Sequence, residues 1–431
     1  MKRALTALVS TVMLLLGATM PALADHSPNA AAEQLGTSNG ALYAMFLPKA
    51  WNGRLVLWAH GFVDPEAPVA LPDVQPADVA PWLVELRESL LAAGYAVAYS
   101  SYAENGWAVK DGAARTHELR GLFIARFGVP THVYVGGRSL GALITTMLAE
   151  TRPGDYQGAL ALCGPLGGGR LEIDYIANVR VLFDFFFPGV IPGDAVHVPP
   201  MEFTPDSPIV KTIVAAILAE PQKAIQLAAV DQIELPYRTL SELVYSIVRP
   251  LGYNIRGTND LLARTGGQSP FGNLTTWYTG LLLYDATVNA GVDRFVAKDA
   301  AIRYLNDYYR PRGTLTAPLL TLHTTMDPDV PFSHEAALAK IVAAARTSKW
   351  LAQQSVQRYG HCNVTPAEVV ITLGRLVNWS ETGAKPASGD VTLQLALESP
   401  ESAISTTQST LFGELDFTEA ILSATTGLSL P

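Results

Sequence analysis

The chain has 431 residues, long enough to bury a sizeable core as one large domain or as two to three ordinary ones. Hydrophobic residues make up 49% and charged residues 16%, which excludes the charge excess and apolar poverty of a disordered chain. The formal net charge of -9, with no Lys/Arg run to track a phosphate backbone, excludes nucleic acid as a partner.

At the start, Lys2 and Arg3 precede an apolar stretch from Ala4 to Leu16 and the small-residue site Ala22-Leu23-Ala24. This is the layout of an export signal, residues 1–24, cleaved after Ala24. The apolar run falls short of the roughly 20 residues that cross a bilayer, no later segment is long and apolar enough to span, and no Cys ends the leader to accept a lipid. A secreted or periplasmic protein without a stable membrane anchor is expected.

Residues 25–39 are small and polar and read as a flexible start. Ala41 to Pro48 partly alternates, Trp51-Asn52-Gly53 is turn chemistry, and Arg54 to Ala59 is nearly continuous apolar, so the pattern predicts a hairpin feeding a central strand. That strand runs into His60-Gly61-Phe62 and a Pro- and Asp-rich loop. Val79 to Ala93 has helical spacing, Tyr95 to Ser100 reads as a strand, and Gly112 to Phe127 as a helix. Thr131 to Val135 is β-rich, Gly136 to Gly141 is glycine-dense, and Ala142 to Glu150 favours helix. Gly158 to Leu162 is one more buried strand. Strands alternating with helices predict an α/β fold with a mostly parallel central sheet.

From residue 165 to 313 the rhythm stops, replaced by aromatic and Pro-rich stretches with helical patterns at Ile209 to Ala219 and Ala300 to Tyr309. We read this as a large, mainly helical cap inserted into a core made of residues 40–164 and 314–383. The sheet resumes at Pro318 to His323, followed by a helix at His334 to Ala345, a strand near Ser355 to Tyr359, and a helix at Pro366 to Trp379. Residues 384–431, rich in Ser, Thr, Gly and Pro, form a C-terminal tail.

The chemistry centres on Gly137-Arg138-Ser139-Leu140-Gly141, between a β-rich run and a helix. A serine hydroxyl needs a base to take its proton and must stand clear of its own backbone; a sharp strand-to-helix turn flanked by glycines provides the second condition. On these residues the chain resembles the α/β-hydrolase superfamily over Gly40 to Glu381, in the chain order nucleophile, acid, histidine. The resemblance implies Ser139 as nucleophile. It puts the acid in Asp327-Pro328-Asp329-Val330-Pro331, with Asp327 at the matching position and Asp329 as the fallback. It puts the base at His361, in Tyr359-Gly360-His361-Cys362, ahead of His334. His26, His117, His132, His197 and His323 read as surface or packing residues. The resemblance further implies an oxyanion hole from the backbone N–H groups of Phe62 and Leu140.

Cys163 and Cys362 are the two cysteines, and in an exported chain they form either one disulfide or two separate buried thiols. A bridge would close a loop of about 200 residues and stabilise by roughly 4–5 kcal/mol. In the α/β-hydrolase arrangement the two lie side by side, so a bridge would brace His361. Secreted tannases and feruloyl esterases also carry a Cys after the catalytic His, paired with one before the serine, where this chain has Arg138.

The expected activity is a serine hydrolase that cleaves carboxylic esters through an acyl-enzyme. The alternatives are an aminopeptidase-type serine peptidase of the same fold and a non-catalytic binding protein. The partner would be a small-molecule or oligomeric ester, with no cofactor and no metal, and the oligomeric state is left open. Phe183, Phe185, Phe186, Phe187, Trp277 and Tyr278 are candidates for lining an acyl or aryl pocket, or else form the cap's own core.

Overall fold

The protein's structure, a computed structural model, describes residues 27–76 and 79–399. The expected export signal and the end of the tail lie outside the described residues. Ala30–Ser38 (β1) and Ala41–Pro48 (β2) pair antiparallel around Asn39-Gly40, both at positive φ. A two-residue hairpin loop of type I′ needs φ > 0 at both central positions, which Asn-Gly supplies. Two expectations are thereby corrected. The chain is ordered before Gly40, and the hairpin partner of β2 is β1 rather than the strand after Trp51-Asn52-Gly53.

The remaining strands are Arg54–Ala59 (β3), Ala96–Ser100 (β4), His132–Arg138 (β5), Gly158–Leu162 (β6), Leu319–Met326 (β7), Leu351–Tyr359 (β8) and Gly389–Asp390 (β9). Among the described residues they form one nine-stranded sheet in the order β1-β2-β4-β3-β5-β6-β7-β8-β9. The β1–β2 and β2–β4 pairs are antiparallel, and every pair from β4–β3 to β8–β9 is parallel.

Helices Ala80–Ala92 (α1), Val109–Phe127 (α2) and Leu140–Thr151 (α3) connect the first parallel strands. Between β6 and β7 come Gly169–Phe186 (α4), Pro208–Ala219 (α5), Pro221–Ala228 (α6), Leu240–Arg264 (α7), Asp285–Gly291 (α8) and Asp299–Tyr308 (α9). Ser333–Ala344 (α10), Pro366–Thr382 (α11) and Thr392–Glu398 (α12) complete the chain. The region expected as a tail thus contributes β9, paired to β8, and the buried Leu395 of α12.

Strand β3 explains its apolar run. Leu55, Leu57 and Ala59 point into the core with Leu119 and Phe123 of α2 and Leu143 of α3, while Val56 and Trp58 join Leu83 and Leu86 of α1 and Leu373 of α11. Because side chains alternate across a strand, a sheet covered on both faces needs apolar residues at every position. The carboxyl ends of β3, β5, β7 and β8 then converge on one edge of the sheet, where the candidate residues lie.

Candidate active site

Ser139 sits between β5 and α3 at φ 57 and ψ -127, a conformation that costs a non-glycine residue energy and persists only when its surroundings impose it. They do so here through close backbone packing. A Cβ on Gly137 would lie 2.8 Å from the Ala59 carbonyl oxygen, and one on Gly141 would meet that same oxygen and come within 2.6 Å of the His60 oxygen. Only glycine fits either position, and the turn presses Ser139 against the end of β3. Leu140 is the first residue of α3, so its N–H has no partner inside the helix. Among the described residues neither this amide nor that of Phe62 is hydrogen-bonded to backbone. The loop carrying Phe62 is held by Tyr102, which stacks on His60 at 3.8 Å and donates to the His60 carbonyl at 3.0 Å.

Past β7 the chain turns sharply at Asp327. Its Oδ1 accepts from the amides of Asp329 at 2.9 Å and Val330 at 3.0 Å, and its Oδ2 lies 2.8 Å from Nδ1 of His361. Both residues are buried. Against desolvation, His361 and His323 hold the Asp327 carboxyl far below the usual carboxylate range. Burial alone would lower the His361 ring, but the Asp327 charge overrides it and pushes it up. With Nδ1 donating to Asp327, Nε2 is left as the basic nitrogen, and it has no hydrogen-bond partner among the described residues. The loop behind His361 is fixed by a capping box at the start of α11, where Thr365 accepts from Glu368 N and Glu368 accepts from Thr365 N; Glu368 also binds Arg358.

This is the α/β-hydrolase fold. The structure brings Ser139, Asp327, His361, Phe62 and Leu140 to one edge of its sheet. Asp329, the fallback acid, is engaged elsewhere: Arg249 of α7 donates Nε to its Oδ1 at 2.9 Å and also pairs through Nη2, and Tyr253 donates to its Oδ2 at 3.2 Å. His334 is likewise engaged, with Nδ1 accepting from Gly167 N at 3.0 Å and Nε2 3.1 Å from Glu172. His323 is more than packing. Its Nδ1 lies 3.1 Å from Glu335, while its Nε2 faces the Val330 carbonyl at 3.1 Å and Asp327 at 3.5 Å. Both nitrogens meet acceptors, and against desolvation the bonds to Asp327 and Glu335 push its pKa up to about 10.

Cys163 and Cys362 are adjacent but unbonded in this structure. Both are buried free thiols, with Cys362 Sγ 3.9 Å from the Cys163 carbonyl oxygen.

Helix α7 reaches over the strand ends because Ser246, Arg249 and Tyr253, at spacings of three and four, share one face. Ser246 meets the Tyr359 hydroxyl at 2.8 Å, Arg249 meets Asp329, and Tyr253 stands beside Ser139. Among the described residues, two small cavities border Ser139. One of about 30 Å³ is lined by Trp58, Pro72, Pro76, Trp82, Leu83 and Tyr253, the other, about 20 Å³, by Phe62, Trp107, Leu140, Glu172 and Asp329 among others. Each has room for a water or two. A wider groove of about 400 Å³, between residues 228–236 and Thr325 and Phe332, reaches Asp327 from outside. The aromatic residues singled out by sequence lie elsewhere: Phe183, Phe186 and Phe187 are in the core, Tyr278 is buried on Asn178, and Trp277 is exposed. The actual lining residues Trp107, Tyr253 and Glu172 were missed.

Residues 38–165 match a family described as tannase-like and of unknown function, DUF6351. The matched stretch holds Phe62, Ser139 and Cys163 but ends before Asp327 and His361. No curated protein matches the chain. Similar solved structures include an esterase from Aspergillus oryzae, at 14% identity over 85% of each chain and a TM-score of 0.42. Feruloyl esterase B from Aspergillus oryzae is 14% identical over 85% of this chain and 86% of its own, with a TM-score of 0.40. A bacterial membrane phospholipase A is 13% identical over 81% and 87%, with a TM-score of 0.38.

Proposed function

We propose that the chain is a serine hydrolase that cleaves carboxylic esters through an acyl-enzyme, with Ser139 as nucleophile, His361 as base and Asp327 as orienting acid. The observation that carries this reading is the 2.8 Å contact between Asp327 Oδ2 and His361 Nδ1, on the sheet edge where the turn holds Ser139 at φ 57. His361 Nε2 takes the Ser139 proton as Oγ attacks the ester carbon. The developing oxyanion accepts from the amides of Phe62 and Leu140, donors worth roughly 3–4 kcal/mol each to a transition state. The protonated His361 then gives its proton to the departing alkoxide. Water, activated by the same ring, attacks the acyl-enzyme, releases the carboxylic acid and restores Ser139. The mechanism requires no cofactor.

Residues 165–313 act as the cap in this reading. The reading includes export, and with it a bridge between Cys163 and Cys362 that braces the His361 loop. The match of residues 38–165 to a tannase-like family agrees with an ester substrate.

Short and long p-nitrophenyl esters assayed with wild type and Ser139→Ala test the reading. A loss of at least about 10³-fold is expected, and equal rates overturn it. Thiol titration of denatured, unreduced exported protein is expected to find no free thiol; two thiols remove the bridge from the reading.

A further inference from the structure

Glu172, in the first turn of α4, is only 3% exposed yet lines the cavity beside Ser139 that Phe62, Leu140 and Tyr253 also border. Among the described residues no hydrogen bond falls on its carboxyl. Oε2 is fully enclosed and faces His334 Nε2 at 3.1 Å, without the alignment of a complete hydrogen bond. The Gly167 amide donates to His334 Nδ1 at 3.0 Å, which leaves the ring proton on Nε2. Oε2 therefore faces a donor, and the proton of a neutral carboxyl falls to Oε1, the oxygen that is not enclosed. Burial, helped by the charge of Asp327, pushes this carboxyl well above its usual range.

Oε1 has no protein partner among the described residues, and a ligand oxygen there would give it one. Asp329, on the same cavity wall, already has Arg249 and Tyr253. The cavity on the other side of Ser139 is lined by Pro72, Pro76, Trp82 and Leu83 together with His60 and Arg138.

We propose that Glu172 forms a substrate subsite, recognising a hydroxyl group on one side of the scissile ester. The inference rests on the ester-hydrolase reading and names its substrate class. A neutral carboxyl both donates and accepts, which complements a hydroxyl; a carboxylate would select an ammonium instead. A site built to hydrogen-bond a substrate hydroxyl rejects the analogue that lacks it, because the site's own polar group is left unpaired.

The experiment measures kcat/KM on two series of esters matched in size, with a methyl, hydroxyl or ammonium at one position. One series is varied in the acyl group and the other in the alcohol. In one series wild type is expected to favour hydroxyl over methyl by roughly 10- to 100-fold. Glu172→Gln, still neutral and polar, keeps that preference, and Glu172→Leu brings the ratio to within about threefold of unity. Should the Leu variant not fold, Glu172→Ser reads the same ratio, which a merely structural role would leave unmoved. Hydrolysis by wild type without hydroxyl preference in either series overturns the subsite alone. So does a preference that survives in the Leu or Ser variant, or an ammonium preference lost in Glu172→Gln. No hydrolysis of any ester, with Ser139 unlabelled by a fluorophosphonate, overturns the subsite and the ester-hydrolase reading together.

Discussion

Replacing Arg249 tests whether α7 is clamped onto the acid loop by one buried ion pair. Arg249 and Asp329 are each 1% exposed, and the carboxylate receives the guanidinium Nε at 2.9 Å together with the Tyr253 hydroxyl at 3.2 Å. Arg249→Met removes the cation and leaves the carboxylate buried with the tyrosine as its remaining donor. Breaking a buried pair from one side costs about 3–5 kcal/mol, mostly the cost of the charge left behind. At roughly 2 °C per kcal/mol for a large domain, the melting temperature is expected to fall by about 6–10 °C. Adding Asp329→Leu removes the stranded charge, and the double variant is expected to regain most of the loss. Differential scanning fluorimetry on the four proteins of the cycle gives the comparison. A single variant that melts within about 2 °C of wild type, or a double variant no better than the single, refutes the clamp.

Two further outcomes follow from the geometry. His334 is fully buried, and desolvation, then the neighbouring His323 charge, lower its pKa to about 3. The unfolded chain binds that proton near pH 6.5 and the native chain does not, so this group's contribution is flat above pH 6.5 and turns against the fold as pH falls from there to about 3. Between pH 7 and 5, chemical denaturation is expected to shift the stability of His334→Gln relative to wild type in the variant's favour by about 2 kcal/mol, and a constant difference refutes the assignment. Gly141→Ala places a methyl within 2.6 Å of the His60 carbonyl oxygen, on backbone that cannot swing aside. Esterase activity is expected to drop by more than about 100-fold, since small displacements of a nucleophile are that costly; near-normal turnover would show that the turn can open.

Local signals carried most of the fold. Strand β3, the run from β5 through the turn into α3, and β7 were legible because each is a buried segment whose apolar run or glycine pattern lies within a dozen residues. β1 escaped because Ala30–Ser38 is small and polar and is held as an edge strand by its pairing to β2. The two-residue β9 escaped because its existence depends on β8 being there to pair with. In the candidate site, Ser139, Asp327 and His361 were singled out through the resemblance to the α/β-hydrolase superfamily, and the structure brings them to one edge of the sheet. The pairs Arg249–Asp329 and Glu172–His334 could not be read in advance, because each joins residues far apart in sequence: Asp329 and His334 stood out as alternatives for the acid and the base, but nothing pointed to Arg249 or Glu172 as their partners. The usable sign was the face of α7 that repeats Ser246, Arg249 and Tyr253. The phenylalanine run at 183–187 drew attention through its density, but that density served the core.

Asp327 serves two rings at once, and that division has a measurable consequence. Its Oδ2 is 2.8 Å from His361 Nδ1 and 3.5 Å from His323 Nε2. His323 meets an acceptor at each nitrogen, Glu335 at 3.1 Å and the Val330 carbonyl at 3.1 Å, so it is held as a cation beneath the acid. Its charge keeps Asp327 ionised but opposes protonation of His361, whose Nδ1 meets the same oxygen. His323→Gln keeps a donor toward Asp327 and removes the charge. The acidic limb of kcat/KM, which reports the base in the free enzyme, is expected to move up. Loss of folded protein would lower the height of that profile without moving the limb. An unmoved limb in a folded His323→Gln enzyme refutes the buried cation and returns His323 to the role of a packing residue.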